Sequence, residues 1–254
     1  MNEAKPIKAG STRSIVPRLT WLDGLFWVTA VAIFVDLYLI FLWVPKEAIQ
    51  GNVQRIFYFH VPAAWIAYLA FFLVFLFGIF HLRTRKPRWD HYAYSAAELG
   101  VVFTSVTLVT GIIWAKPIFG VWWVWDARLT TTALLWLVYV GYLMVGAYAV
   151  SPDKASRLRS AVGILGFAVV PINFLSVTLW DTVHIEPVVA GGDDAFLSGD
   201  MKFTLYFSLA TFTALFIFLL VVRIMLRESE AAVEELDQEE EPVLSFVMAD
   251  DKSE

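Results

Sequence analysis

The stretch Gly24-Leu-Phe-Trp-Val-Thr-Ala-Val-Ala-Ile-Phe-Val-Asp-Leu-Tyr-Leu-Ile-Phe-Leu-Trp-Val44 holds 21 residues with one charged side chain, Asp36. As a helix rising 1.5 Å per residue it is about 30 Å long, the thickness of a bilayer's hydrocarbon core. Similar runs recur at about Pro62 to His81, Tyr92 to Trp114, Thr131 to Val150, Ala161 to Trp180 and Phe203 to Leu226. The fold class expected is all-α: a polytopic integral membrane protein with six transmembrane helices. Composition agrees. Of 254 residues, 59% are hydrophobic and 17% charged, with mean hydropathy +0.65. A soluble domain is nearer half apolar and a quarter charged.

The spans divide the chain into three parts. Residues 1–20 form a polar segment bearing Lys5, Lys8, Arg13 and Arg18. The apolar stretch behind it is full length, unlike the short core of a cleaved signal. Residues 21–226 form the six-span domain. Residues 227–254 form an acidic tail, with 11 acids against one lysine from Glu228 onward. Low hydrophobicity with high charge predicts disorder there. Lys and Arg concentrate on one side of the spans: 14 inside against five outside when the N-terminus is cytoplasmic. By the positive-inside rule both termini are cytoplasmic. The outer segments are then Pro45 to Val61, Ala115 to Thr130 and Asp181 to Lys202.

Absent residues exclude several chemistries. There is no cysteine. That rules out disulfides, thiolate metal sites and covalent haem attachment through Cys-x-x-Cys-His. There is no Gly-x-x-x-x-Gly-Lys phosphate loop. Any ATP used with this chain must be hydrolysed by another subunit. The lipid bilayer is a partner, and no nucleic acid is expected.

The middle outer segment reads Ile118-Phe-Gly-Val-Trp-Trp-Val-Trp-Asp-Ala-Arg-Leu-Thr130. Three tryptophans fall in four positions, followed by an acid and a base. Trp43, Trp114, Trp122, Trp123, Trp125 and Trp180 lie at the outer edge, and only Trp21, Trp27 and Trp89 at the inner one. An ordinary aromatic belt marks both interfaces. The excess suits a platform for a large planar ligand; a membrane-surface anchor is the plainer reading. His60, ahead of Pro62, sits at the outer mouth of the second span. His184 lies just past the outer end of the fifth. Neutral imidazole is a common axial ligand of haem iron. Guanidinium is a good partner for haem's propionates, and Arg128 and Arg55 are near, with Lys116 a weaker candidate. The plain alternatives are structural histidines, and an Asp126 that pairs with Arg128 or caps the fourth span. His81 and His91 are expected to be solvated in the inner loop. Asp36 and Glu98 lie within spans and need polar partners from neighbouring helices or a functional role. Pro171 is expected to kink the fifth span.

The run Trp122-Trp-Val-Trp-Asp-Ala-Arg-Leu-Thr130 resembles the tryptophan-rich "WWD" signature of membrane haem-handling proteins, most closely the haem exporter protein C (CcmC) family. Thr110-Gly-Ile-Ile-Trp-Ala-Lys-Pro117 resembles that family's approach to the signature. His60-Val-Pro-Ala-Ala-Trp65 and Thr182-Val-His184 resemble its two histidine segments. The resemblance covers roughly residues 21–226. Phe119 departs from the pattern by replacing a Trp, and Val121 by replacing a small polar residue.

The resemblance implies a function in c-type cytochrome biogenesis. Non-covalent haem b is held at the outer, periplasmic face of a bacterial inner membrane. His60 and His184 are its iron ligands. Trp114, Phe119, Trp122, Trp123 and Trp125 are the aromatic surface, and Asp126, Arg128 and Arg55 the polar contacts. The haem passes to a membrane-anchored chaperone (CcmE-like). The implied partners are an ABC-type ATPase subunit, a second six-span subunit and a small single-span protein (CcmA-, CcmB- and CcmD-like). No bond-making residue stands out, so the chain itself is not expected to be an enzyme. A bis-His b-type electron-transfer protein and a haem-conducting channel are the alternatives.

Overall fold

The computed structural model describes residues 20–148, 151–180, 182–184 and 197–250; side-chain placement is not described for 20, 147–148 and 234–250. The basic residues of segment 1–19, most of loop 181–196 and Lys252 lie outside these. Among the described residues there is no strand, and six helical stretches are long and apolar enough to cross a membrane.

In chain order these begin with α1 (Thr20–Tyr38), prolonged by a π-helical turn (Leu39–Trp43), and a 3₁₀ turn (Asn52–Ile56) that leads into α2 (Phe57–Thr84). Then come α3 (Pro87–Phe119), α4 (Ala127–Met144), α5 (Pro152–Gly166), α6 (Val169–Leu179) and α7 (Gly199–Asp250). Helices α5 and α6 together make the fifth span.

α2 is the central helix, packed on α3, α5 and α7, while α4 packs on α3 and α6. Small residues let α2 and α3 approach closely, as is usual where lipid supplies no hydrophobic drive. Ala63, Ala67 and Ala70 of α2 and Ala93, Ala96 and Ala97 of α3 are buried. A Cβ on Gly100 would stand 2.5 Å from Cε1 of Phe71. Phe71 in turn stacks on Tyr139 of α4, with ring centroids 3.7 Å apart. The outer surface is the inverse of a soluble protein's: Phe34, Leu42 and Leu165 are each about three-quarters exposed. Apolar exposure on that scale belongs in lipid.

Several helices run further than hydropathy alone indicates. α2 and α3 are separated only by Arg85 and Lys86. Arg85 turns the chain with φ +58°, its N–H bonded to the His81 carbonyl, and Pro87 opens α3 where a missing N–H costs nothing. His81 is therefore not a solvated loop residue; it is buried, with Nδ1 2.8 Å from Oγ of Ser160. His91 is half-buried on α3. α7 runs on past the sixth span to Asp250. Glutamate is a good helix former, and a helix already nucleated by the span extends at little cost.

Pro171 acts one turn upstream of itself. It cannot donate to the Phe167 carbonyl, and the helix breaks at 167–168. Tighter bonds bridge the break, from Ala168 N to Leu165 O at 3.1 Å and from Val170 N to Phe167 O at 3.0 Å.

The acids within the spans have partners. Ser208 of α7 lies 2.7 Å from the Asp36 carboxylate. Arg223 of α7 grips Glu98 through Nε at 2.6 Å and Nη2 at 3.0 Å. A third pair, Arg159 of α5 with Asp90 of α3, is more deeply buried.

Candidate functional site

The start of α2, the end of α3, the start of α4 and the end of α6 meet at one end of the bundle. Between them lies a cavity of about 250 Å³, mostly apolar. His60 enters it from the first turn of α2 and His184 from the segment after α6. The two imidazole rings have centroids 6.1 Å apart and planes inclined by 33°.

One stripe of α3 holds His60. Residues 107, 110, 111 and 114 recur at helical spacing on one face. Oγ1 of Thr110 lies 3.0 Å from Nδ1 of His60. Gly111 gives the ring room: a Cβ there would come within 3.1 Å of its Cε1. Trp114 sets its edge against the imidazole, centroids 5.8 Å apart, and its indole N–H donates to Gln50 at 3.0 Å.

α3 ends at Gly120, whose φ of +74° terminates the helix with its N–H bonded to the Lys116 carbonyl. Helix α4 starts at Ala127, so the loop is only 120–126 and is shorter than the Ala115–Thr130 segment expected. Lys116 and Pro117 look like loop residues, but the last helical turn tolerates both. Lys116 folds back to donate to the Gly120 carbonyl at 2.9 Å.

Asp126 holds the site together. Its Oδ1 accepts from the Leu129 N–H at 2.8 Å, capping α4. Its Oδ2 accepts from the Thr182 hydroxyl and from the Val183 N–H at 3.1 Å. Thr182 then accepts the N–H of His184 at 3.1 Å. One carboxylate thus caps a helix and anchors the second histidine's loop. Arg128 lines the cavity while its Nη1 donates to the carbonyls of Asn173 at 2.6 Å and Phe174 at 3.3 Å. Nε and Nη2 have no protein partner among the described residues. With Asp126 committed to backbone and hydroxyl donors, the cavity presents a cation and two imidazoles, a setting that favours an anionic or metal-bearing ligand.

Comparison with known protein families matches residues 9–238 to the family described as Heme exporter protein C. The chain belongs to the haem exporter protein C family. It is 36% identical over 178 residues to the Escherichia coli K12 protein named heme exporter protein C, covering 67% of this chain and 72% of that one. It is 31% identical over 199 residues to the Bradyrhizobium diazoefficiens protein of the same name, covering 78% and 74%. A ccmC-like mitochondrial protein of cytochrome c biosynthesis from Marchantia polymorpha is 38% identical over 165 residues, covering 64% and 68%.

In this haem exporter protein C family member the residues of interest do not all share one place. His60, His184, Trp114, Phe119, Trp123 and Arg128 line the cavity. Trp122 and Trp125 do not; they are 57% and 80% exposed. Trp125 sets its edge against Trp123 at 5.4 Å, and Lys116 lies 5.7 Å from the Trp122 ring centroid. Arg55, on the 3₁₀ turn, is not among the lining residues, and its buried Nε has no hydrogen-bond partner among the described residues. The indole N–H of Trp123 is also buried with no partner among the described residues.

Sequence reading took Thr110 and Gly111 only as part of the lead-in to the signature, with no role of their own, and overlooked Tyr68 and Asn173. Asn173 ties α6 to α4, with Nδ2 2.7 Å from Thr131 and 2.9 Å from Thr132 and its Oδ1 accepting from Tyr68. Gly111 did leave a signal: a helix-interior glycine costs roughly 1 kcal/mol, so it marks a place where something comes close.

Proposed function

We propose that this chain binds haem b non-covalently at the outer end of the bundle and holds it for transfer during c-type cytochrome biogenesis. The separation of the two imidazoles carries the reading. Two rings bonded through nitrogen at about 2 Å to opposite sides of one metal ion have centroids about 6 Å apart. The value here is 6.1 Å. Among the described residues no group of three or more His, Asp or Glu side chains stands ready to hold a metal. A metal bound by this pair must bring its remaining ligands with it, as a porphyrin does. The Arg128 guanidinium and the buried Trp123 N–H supply donors for carboxylates at the ring's edge.

The cavity of about 250 Å³ is smaller than the roughly 300–1,000 Å³ of a site that engulfs a small molecule. Haem seated there protrudes toward the exposed Trp122 and Trp125, which suits a holder that must release its cargo. A membrane-anchored chaperone approaching from the periplasmic side takes it. An ATPase subunit, a second six-span subunit and a single-span subunit complete the assembly in a bacterial inner membrane. The chain makes no bond itself. Electron transfer across the bilayer has little support: His81 at the other end is bonded to Ser160, not facing a second imidazole. A channel has little support either, because Leu135 and the Phe71–Tyr139 stack fill the bundle below the cavity.

The test is maturation in cells that lack their own family member. The intact chain should restore covalent haem on a reporter c-type cytochrome. The His60→Ala/His184→Ala chain should accumulate in the membrane and restore none. Equal restoration by both chains would remove the reading. The platform residues are expected to separate in the same assay. Trp123→Leu should lower the haem that co-purifies with the chain several-fold. Trp122→Leu and Trp125→Leu should leave bound haem nearly unchanged and act on transfer. Equal haem loss in all three would contradict this division.

A further inference from the structure

The Thr110 hydroxyl has one proton and several neighbours. Its oxygen is 2.7 Å from the Val106 carbonyl, 3.2 Å from the Thr107 carbonyl and 3.0 Å from Nδ1 of His60. Carbonyl oxygens only accept, so the hydroxyl proton goes to the carbonyls of its own helix. The oxygen's lone pair is then turned to the imidazole, and Nδ1 must bring the hydrogen. A neutral imidazole protonated at Nδ1 keeps its lone pair on Nε2.

We infer that Thr110 is a positioning residue: it fixes the His60 tautomer that leaves Nε2 free to bind iron. This rests on the haem reading above. The surroundings limit the ring's other choices. Gly111 lies under Cε1, the Trp114 edge packs beside the ring, and the His184 ring centroid is 6.1 Å away. Metal-ligating histidines commonly donate their second N–H to such an acceptor, which raises ligand basicity; losing it typically costs 10–100-fold in metal affinity. A more basic imidazole favours ferric over ferrous iron. Loss of the bond should therefore raise the haem's reduction potential.

The experiment compares Thr110→Val, Thr110→Ser and His60→Ala in the full-length chain, purified in detergent and titrated with haem. Valine keeps the shape of threonine, and serine keeps the hydroxyl. Thr110→Val should bind haem 10–100-fold more weakly, with a more positive midpoint potential and an altered ferric low-spin electron paramagnetic resonance signal. Thr110→Ser should restore all three. Where Thr110→Val accumulates poorly, Thr110→Ser against Thr110→Ala carries the same comparison. A Val variant equal to the original in affinity and potential overturns the inference, as does a Ser variant that behaves like Val. His60→Ala separates the two claims. If it loses ligation while Thr110→Val is unchanged, only the role of Thr110 fails. If it keeps full ligation, the haem reading fails and this inference with it.

Discussion

Replacing Arg159 by alanine should lower the chain's stability by about 3–5 kcal/mol, the usual cost of leaving one member of a buried ion pair alone. Arg159 and Asp90 are 8% and 5% exposed. The guanidinium meets the carboxylate side-on, with Nε 3.1 Å from Oδ1 and Nη2 bonded to Oδ2. Its face lies over Tyr94, and Gly146 leaves it room, since a Cβ there would come within 2.7 Å of Nη1. Thermal unfolding in detergent should show a midpoint lower by on the order of 10 °C for a chain of this size. The double change Asp90→Leu/Arg159→Met should recover most of the loss, because well-packed apolar residues replace buried pairs without penalty. A midpoint for Arg159→Ala within about a degree of the original would mean the pair is not buried as described.

Asp126→Ala should affect the site more than the fold. Loss of the α4 cap costs about 0.5–2 kcal/mol. The same change releases Thr182 and Val183, and with them the segment that carries His184. Haem affinity is expected to fall about 10–100-fold, as for other losses of ligand support, while the chain still inserts. Asp126→Asn should fall between, since asparagine caps well but brings a single acceptor oxygen where both carboxylate oxygens are now engaged. Titration with haem checks both. An alanine variant with unchanged affinity would show that the His184 segment keeps its place without this anchor.

These two residues mark what the sequence discloses and what it does not. The spans were legible because bilayer thickness sets a minimum apolar length, and six runs of that length recur. That His60, His184 and the tryptophan run gather at one end of the bundle was legible from topology. Helix ends were less so. Hydropathy stops at the first charged residue, whereas a helix continues while its backbone bonds are met, as at Lys116 and at Arg83. Tertiary pairing was not legible either. His81 reads as a solvated residue because its partner Ser160 is 79 residues away, and nothing in the sequence pairs Asp90 with Arg159, 69 residues on. Within the signature, spacing could not separate Trp123, which faces the cavity, from Trp122 and Trp125, which face outward. Neither could it tell that Asp126 bonds to the neighbouring loop. That distinction rests on a seven-residue loop whose shape only the folded helices define.

The central claim is that His60 and His184 bind one iron from opposite sides. The most direct measurement is the absorption and electron paramagnetic resonance spectrum of the purified chain loaded with haem, beside His60→Ala and His184→Ala. The intact chain should show six-coordinate, low-spin haem with two nitrogen ligands. Each variant should bind less haem, with the low-spin signal replaced by a high-spin one. Spectra and haem content identical in all three proteins would contradict the account.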